Sequence, residues 1–167
     1  LMNIKLPINF NSPFKANNLI DFWQRWHITL SNFIMSYMYF PILKSLKINN
    51  YYFSLSITIL IFSIIGFWHG PSWMFIVFGL LHGVGVVFNH MFNKFFSFKM
   101  PNFLSVLLTF LYVNFTFIFF RSNSLDDGVK IIKSMFDFEN FGHMSHNITF
   151  LIFFTLSFVV IFFCKNS

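Results

Sequence analysis

Residues 51–67 form an apolar run with no ionisable group other than tyrosine, and the run ends on Phe67-Trp68-His69-Gly70. A stretch of this length and purity has few structural options. Crossing a bilayer takes about 20 residues of helix, whereas the helix of a soluble domain carries a polar face. The rest of the chain points the same way. Hydrophobic residues fill 56% of the 167 positions and charged residues only 10%, against about 25% charged in ordinary soluble domains. Phenylalanine alone supplies 30 positions. A soluble domain of this size could not hide so much apolar surface, so lipid is the expected solvent. The expected fold class is all-α, a multi-span transmembrane helical bundle.

Four segments are long and apolar enough to be read as spans: 51–68, 72–92, 102–120 and 148–164. The first and last are short, and suit a thin or locally adapted bilayer. Gly70-Pro71-Ser72 predicts a tight hairpin between the first two, with Pro71 in the first turn of the second helix, where its missing N–H costs nothing. Gly79 and Gly83 stand four apart and predict a small-residue strip for close helix approach. Residues 20–40 read differently. Asp21, Arg25 and His27 interrupt the apolar pattern, while Trp23, Trp26, Leu30, Phe33, Ile34 and Tyr37 recur at three- and four-residue spacing. That spacing predicts one amphipathic or packed helix, which Pro41 ends or kinks. Residues 6–13 read as irregular. The polar connection 121–147 is expected to carry a short helix over 125–135, with Ser124 as N-cap and Asp126 and Asp127 in the first turn. The whole, 1–167, reads as a single membrane-domain fragment. It opens on Leu1 and lacks the basic region, apolar core and small-residue cleavage site of a signal peptide.

The net charge of +6 is spread over loops. This suits basic cytoplasmic loops and not the basic face of a nucleic-acid binder. Alternating spans put Lys44, Lys47, Lys94, Lys99 and Lys165 on one side, and Arg121, Lys130 and Lys133 on the other. The larger group marks the cytoplasmic side, which sets His69 toward the outer half of the membrane and the C-terminus inside. A sole cysteine, Cys164, excludes an intrachain disulfide.

Chemistry concentrates on histidines. An ionisable ring at the end of a membrane-length segment is costly to place and points to function. In apolar surroundings the imidazole of His69 stays neutral and can accept a proton as a general base; the alternative is an interfacial histidine that caps a helix end. His27, in Trp23-Gln24-Arg25-Trp26-His27, is a second candidate, against a helix histidine satisfied by a nearby carbonyl. His82 is expected to make a structural hydrogen bond, and His90, His143 and His146 to be solvated. No metal site is expected: there is no His-Glu-x-x-His pattern, and Cys164 is remote. Asn147-Ile148-Thr149 is a glycosylation sequon only in a eukaryotic setting. Phosphate-binding glycine loops, nucleophile elbows and dinucleotide fingerprints are absent from the sequence.

Three ordered motifs carry a family resemblance. Leu6-Pro7-Ile8-Asn9-Phe10-Asn11-Ser12-Pro13-Phe14, then Asp21-Phe22-Trp23-Gln24-Arg25-Trp26-His27-Ile28-Thr29-Leu30-Ser31, then Gly66-Phe67-Trp68-His69-Gly70 resemble the membrane-bound O-acyltransferases (MBOAT). The closest branch is the bacterial alginate O-acetyltransferase group, kin to the D-alanyl-transfer protein of teichoic acid modification. Residues 110–122 also resemble that branch, and the likeness covers most of 6–136.

The resemblance implies the C-terminal part of a multi-span protein more than twice this length, in the bacterial cytoplasmic membrane. It implies transfer of an acetyl or other short acyl group from a thioester donor, acetyl-CoA or an acyl carrier, with no resident cofactor. The acceptor would be hydroxyls of an exported polysaccharide or cell-wall glycan, with membrane lipid around the protein and an exported acyltransferase as partner. His69 matches the family's catalytic histidine and His27 its other prominent one. Trp26 and Trp68 would wall the pocket. Arg25 stands with them as a substrate contact, or pairs instead with a backbone or headgroup group. The sequence departs from the branch at Met35-Ser36, where relatives often carry Arg-Asp, and at Leu43-Lys44, where Gly-Gly is usual. An alternative function is a non-catalytic membrane subunit that passes acyl groups or glycan to a periplasmic enzyme.

Overall fold

A computed structural model describes residues 6–47, 49–96, 98, 100–137 and 148–163. Among these residues there is no strand. The helices are α1 (Leu19–Arg25), α2 (Ile28–Ile34), a π-helical segment (Met35–Tyr39), α3 (Phe40–Ser45), α4 (Tyr51–Trp68), α5 (Trp73–Phe95), α6 (Asn102–Arg121), α7 (Leu125–Met135) and α8 (Ile148–Phe163), with a 3-10 turn at Pro13–Lys15 ahead of α1.

Three of these, α4, α5 and α6, are long and apolar enough to cross a membrane. The fourth expected span is α8, whose 16 described residues would reach about 24 Å at 1.5 Å per residue. Helix starts follow local capping. The Asn50 side chain accepts from the N–H groups of Tyr52 and Phe53, Asn18 from Asp21, and Ser124 from Asp127 as expected. One start differs from expectation. Ser72 caps α5 by accepting from Met74 N–H, so Pro71 precedes the cap and does not occupy the first turn. A side-chain oxygen that satisfies an orphan N–H fixes the boundary one residue later than proline alone suggests.

The α4–α5 hairpin is the spine. A methyl group on Gly66 would overlap the Phe75 carbonyl oxygen, and one on Gly79 the Phe62 carbonyl oxygen. A methyl group on Gly83 would meet a third point, the Ile59 Cα, at 3.0 Å. Only glycines let the two backbones come this close. In one apolar cluster Ile34 packs with Ile57, Ile61 and Ile65. In a second, Ala16, Leu19 and Phe22 meet Val86 of α5 and Val113 of α6, and Phe62 packs against both clusters.

The single helix expected over 20–40 is instead broken at Trp26 and His27. Trp26 is extended and His27 is left-handed, with φ 47° and ψ 53°. The N-terminal segment supplies the hydrogen bonds that a continuous helix would have made. Ile28 N–H donates to the Asn9 carbonyl (2.9 Å) and Asn11 N–H to the Arg25 carbonyl (2.9 Å). Pro41 neither ends the helix nor simply kinks it. Proline has no N–H for the carbonyl four residues back, and the chain widens into the π segment just before it, with Phe40 N–H reaching Met35 O.

Candidate active site

His69 sits at the closed end of the spine. Its N–H donates to the Gly66 carbonyl (3.1 Å) and Gly70 N–H to that of Phe67 (3.1 Å), which finishes α4. Gly70 then takes φ +152°, and a Cβ there would lie 2.8 Å from the Phe75 ring. Both facts require glycine after the histidine. The imidazole faces Trp68 (centroids 5.2 Å), Phe75 (6.2 Å), Phe78 (6.2 Å) and Phe120 (5.2 Å). These rings make an aromatic cup on three elements, exposed on one side. Desolvation by this cup lowers the His69 pKa from its ordinary value, and the nearby His27 charge lowers it further. No protein group among the described residues hydrogen-bonds its ring nitrogens.

His27 is held from outside its own helices. The Asn9 side-chain oxygen accepts from Thr29 N–H (3.0 Å) and Thr29 Oγ1 (2.8 Å). Its amide nitrogen is thereby turned to His27 Nδ1, 3.3 Å away. An amide N–H only donates, so Nδ1 accepts and the neutral ring carries its proton on Nε2. Asn9 was not singled out in the sequence. Its one signal there was an Asx residue in an irregular segment that precedes a histidine motif.

Between the two histidines runs a continuous set of rings. Phe10 touches His27 (5.9 Å) and Trp26 (5.0 Å). Trp26 meets Phe117 (6.1 Å), which meets Phe78 (5.7 Å) and Phe120 (6.1 Å). Trp26 thus lies within this set, one ring removed from His27. Trp68 touches His69 but is 66% exposed. Arg25 donates from Nε to Oδ1 of Asp21, the carboxylate one turn earlier, at 2.6 Å. His90 is exposed and lines a separate cleft of about 350 Å³ with Trp23, Met35 and Phe62. His143, His146, Asn147, Cys164 and Lys165 lie outside the described residues, as does Lys99. Among the described residues, no three His, Cys, Asp or Glu side chains converge as a metal site would need.

His82 makes the structural hydrogen bonds expected of it. It is 1% exposed, with Trp23 Nε1 at 3.3 Å from Nδ1 and Thr116 Oγ1 at 2.8 Å from Nε2.

These features describe a helical membrane protein with two histidines set among aromatic rings, one capping a span and one at a helix break. Residues 2–125 match the MBOAT, membrane-bound O-acyltransferase family, and the chain belongs to that family. It is 48% identical over 141 residues to the peptidoglycan O-acetyltransferase of Helicobacter pylori, a match that covers 80% of this chain and 25% of the relative. It is 34% identical over 132 residues to the teichoic acid D-alanyltransferase of Bacillus subtilis, covering 72% and 33%. With the probable alginate O-acetylase of Pseudomonas aeruginosa the identity is 29% over 140 residues, covering 83% and 26%. The chain therefore spans a quarter to a third of the length of these relatives.

Proposed function

We propose that these residues form the acyl-transfer centre of a multi-pass O-acyltransferase in the bacterial cytoplasmic membrane. In this reading the enzyme moves an acetyl or other short acyl group from a thioester donor to hydroxyls of an exported polysaccharide or cell-wall glycan. The observation that carries the reading is His69, an imidazole with both ring nitrogens unengaged, held in an aromatic cup that favours its neutral form. The named activities of the relatives, O-acetylation of peptidoglycan and D-alanylation of teichoic acid, support an acyl donor and a glycan or envelope-polymer acceptor.

The chemistry is one displacement. His69 takes the proton of the acceptor hydroxyl as its oxygen attacks the thioester carbonyl carbon. The tetrahedral intermediate collapses, the C–S bond breaks, and the departing sulfur receives the proton from His69. General-base help of this kind contributes about 10²–10⁴-fold. With Nδ1 engaged by Asn9, His27 presents Nε2–H as a donor, suited to orient the thioester carbonyl or His69 itself. An exported acyltransferase is the expected partner in passing the group onward.

The test uses cells that lack the endogenous gene and carry the full-length protein. Glycan-bound O-acetyl released by mild alkali is compared for wild type and His69→Ala at equal membrane abundance. Loss of ester is expected. Unchanged ester overturns the base assignment and favours a subunit that only passes acyl groups to a partner enzyme.

A further inference from the structure

His82 makes a one-directional chain of hydrogen bonds through the centre of the bundle. The Trp23 indole N–H can only donate, so it donates to Nδ1. The Thr116 hydroxyl gives its proton to the Val113 carbonyl at 2.7 Å, which leaves its oxygen to accept from Nε2. The imidazole therefore serves as acceptor at one end and donor at the other, and no buried polar side-chain atom among the described residues is left unpaired. Each partner belongs to a different helix: Trp23 to α1, His82 to α5, Thr116 to α6.

The contacts of this chain reach both halves of the candidate site. Trp23 also receives the Ser31 hydroxyl on its carbonyl at 3.0 Å, a bond that spans the break at Trp26 and His27 and ties α2 back to α1. The ring of Phe22, next in sequence to Trp23, stacks on His82 (6.1 Å, 16°) and on Trp26 (5.7 Å, 15°). The His82 ring also meets Phe78 at 4.6 Å. Phe78 is one wall of the cup around His69 and packs on a second wall, Phe120, at 5.0 Å.

We propose that His82 is a positioning residue that couples the two halves of the site, fixing the His27 junction through Trp23 and the His69 cup through Phe78. This rests on the acyl-transfer reading above. It adds that the spacing between the two histidines is set by a third, which touches neither substrate nor the reacting atoms. An aliphatic side chain in its place leaves the indole N–H and the threonine oxygen unpaired, and frees Phe78 and α1 to shift independently. Displacement of reacting groups by about 1 Å is enough to cost about 10²-fold in rate.

The experiment is done on the full-length protein in cells, with glycan ester per membrane-resident molecule as readout and the melting temperature of the detergent-purified protein measured in parallel. The variants are His82→Leu, His82→Gln, Thr116→Val and Ile61→Ala, with His69→Ala as reference. Ile61 belongs to the isoleucine cluster and makes none of the hydrogen bonds of the His82 chain, and its truncation reports what instability alone does to the ester. Glutamine can accept from Trp23 and donate to Thr116. We expect ester to fall about tenfold or more in His82→Leu, to fall in Thr116→Val, and to return to within about threefold of wild type in His82→Gln. If His82→Leu loses no more ester than Ile61→Ala at the same melting temperature, or if His82→Gln fails to recover, the positioning role is overturned. If His69→Ala itself retains wild-type ester, it is the acyl-transfer reading that fails.

Discussion

Replacing Asn9 by alanine separates the geometry of His27 from the stability of the bundle. Asn9 lies outside the spans and outside both apolar clusters, so its loss opens no core cavity. Its side chain makes three bonds: two caps on Thr29 and one contact with His27 Nδ1. Loss of a helix-start cap costs about 1 kcal/mol, and loss of a further partly buried hydrogen bond costs about another 1 kcal/mol. Set against these is the left-handed conformation of His27, which a non-glycine residue holds only at about 1–3 kcal/mol when its surroundings enforce it. Removing about 2 kcal/mol of enforcement is comparable with that strain, so the junction relaxes locally. At 1.36 kcal/mol per tenfold, acyl transfer per molecule falls about ten- to thirtyfold in Asn9→Ala, with little change in melting temperature. Hydrogen exchange at Ile28 and Thr29 accelerates in parallel. Asn9→Asp refines the test. A carboxylate still accepts from Thr29, but toward His27 it also accepts, which moves the ring proton to Nδ1 and leaves Nε2 bare. Slow exchange is expected to return in this variant while acyl transfer stays low. Wild-type ester from Asn9→Ala would refute the role of the strap, and full activity in Asn9→Asp would refute the tautomer argument.

Gly70→Ala places a Cβ at φ +152° and against the Phe75 ring, so ester formation is expected to fall at least tenfold, read by the same alkali-release measurement at matched abundance. The His69 pKa is lowered, chiefly by desolvation and then by His27. A base is active when unprotonated, so the acid limb of kcat/KM is expected below the ordinary histidine value of about 6.5, and a limb above that value in a pH–rate profile counts against His69 as the base. In Gly79→Val the added branches meet the Phe62 backbone, and purified full-length protein is expected to melt well below wild type. Ile61→Ala removes a 3%-exposed side chain and is expected to cost about 2–5 kcal/mol in denaturant or thermal unfolding, with acyl transfer per folded molecule retained.

What the sequence made legible was local. The runs that became α4, α5 and α6 could be read because lipid imposes one simple demand, about 20 apolar residues with every backbone bond satisfied inside the helix. The cap at Ser124 depended on its own next three residues and was equally readable. The break at His27 was not, since its cause is Asn9 and Asn11, which are distant in sequence and supply hydrogen bonds that periodicity cannot register. The partners of His82 are Trp23 and Thr116, 59 and 34 positions away, and only the packing of α1 and α6 on α5 brings them together. The packing role of Gly66 was not legible, because nothing near it in sequence shows that the Phe75 carbonyl will face it. By contrast the Asp21–Arg25 pair was open to inference from its i,i+4 spacing on one helix face. The environment of His69 was half legible: Trp68 and Phe67 adjoin it in sequence, whereas Phe78 and Phe120 reach it only through the hairpin turn and the return of α6.

The three glycine contacts along α4 and α5 have a mechanical meaning. Two rods pressed backbone to backbone along much of their length resist splaying, as the arms of a tuning fork do near the stem. His69 sits at the stem, where displacement is smallest whatever the open ends do. His27, in contrast, sits at a break between two short helices, beside an N-terminal strap that holds it by ring packing and hydrogen bonds. The two imidazoles are thus braced in different ways, as in a vise: one rests on the cast body of the tool, backbone against backbone, and the other on a jaw assembled from short pieces.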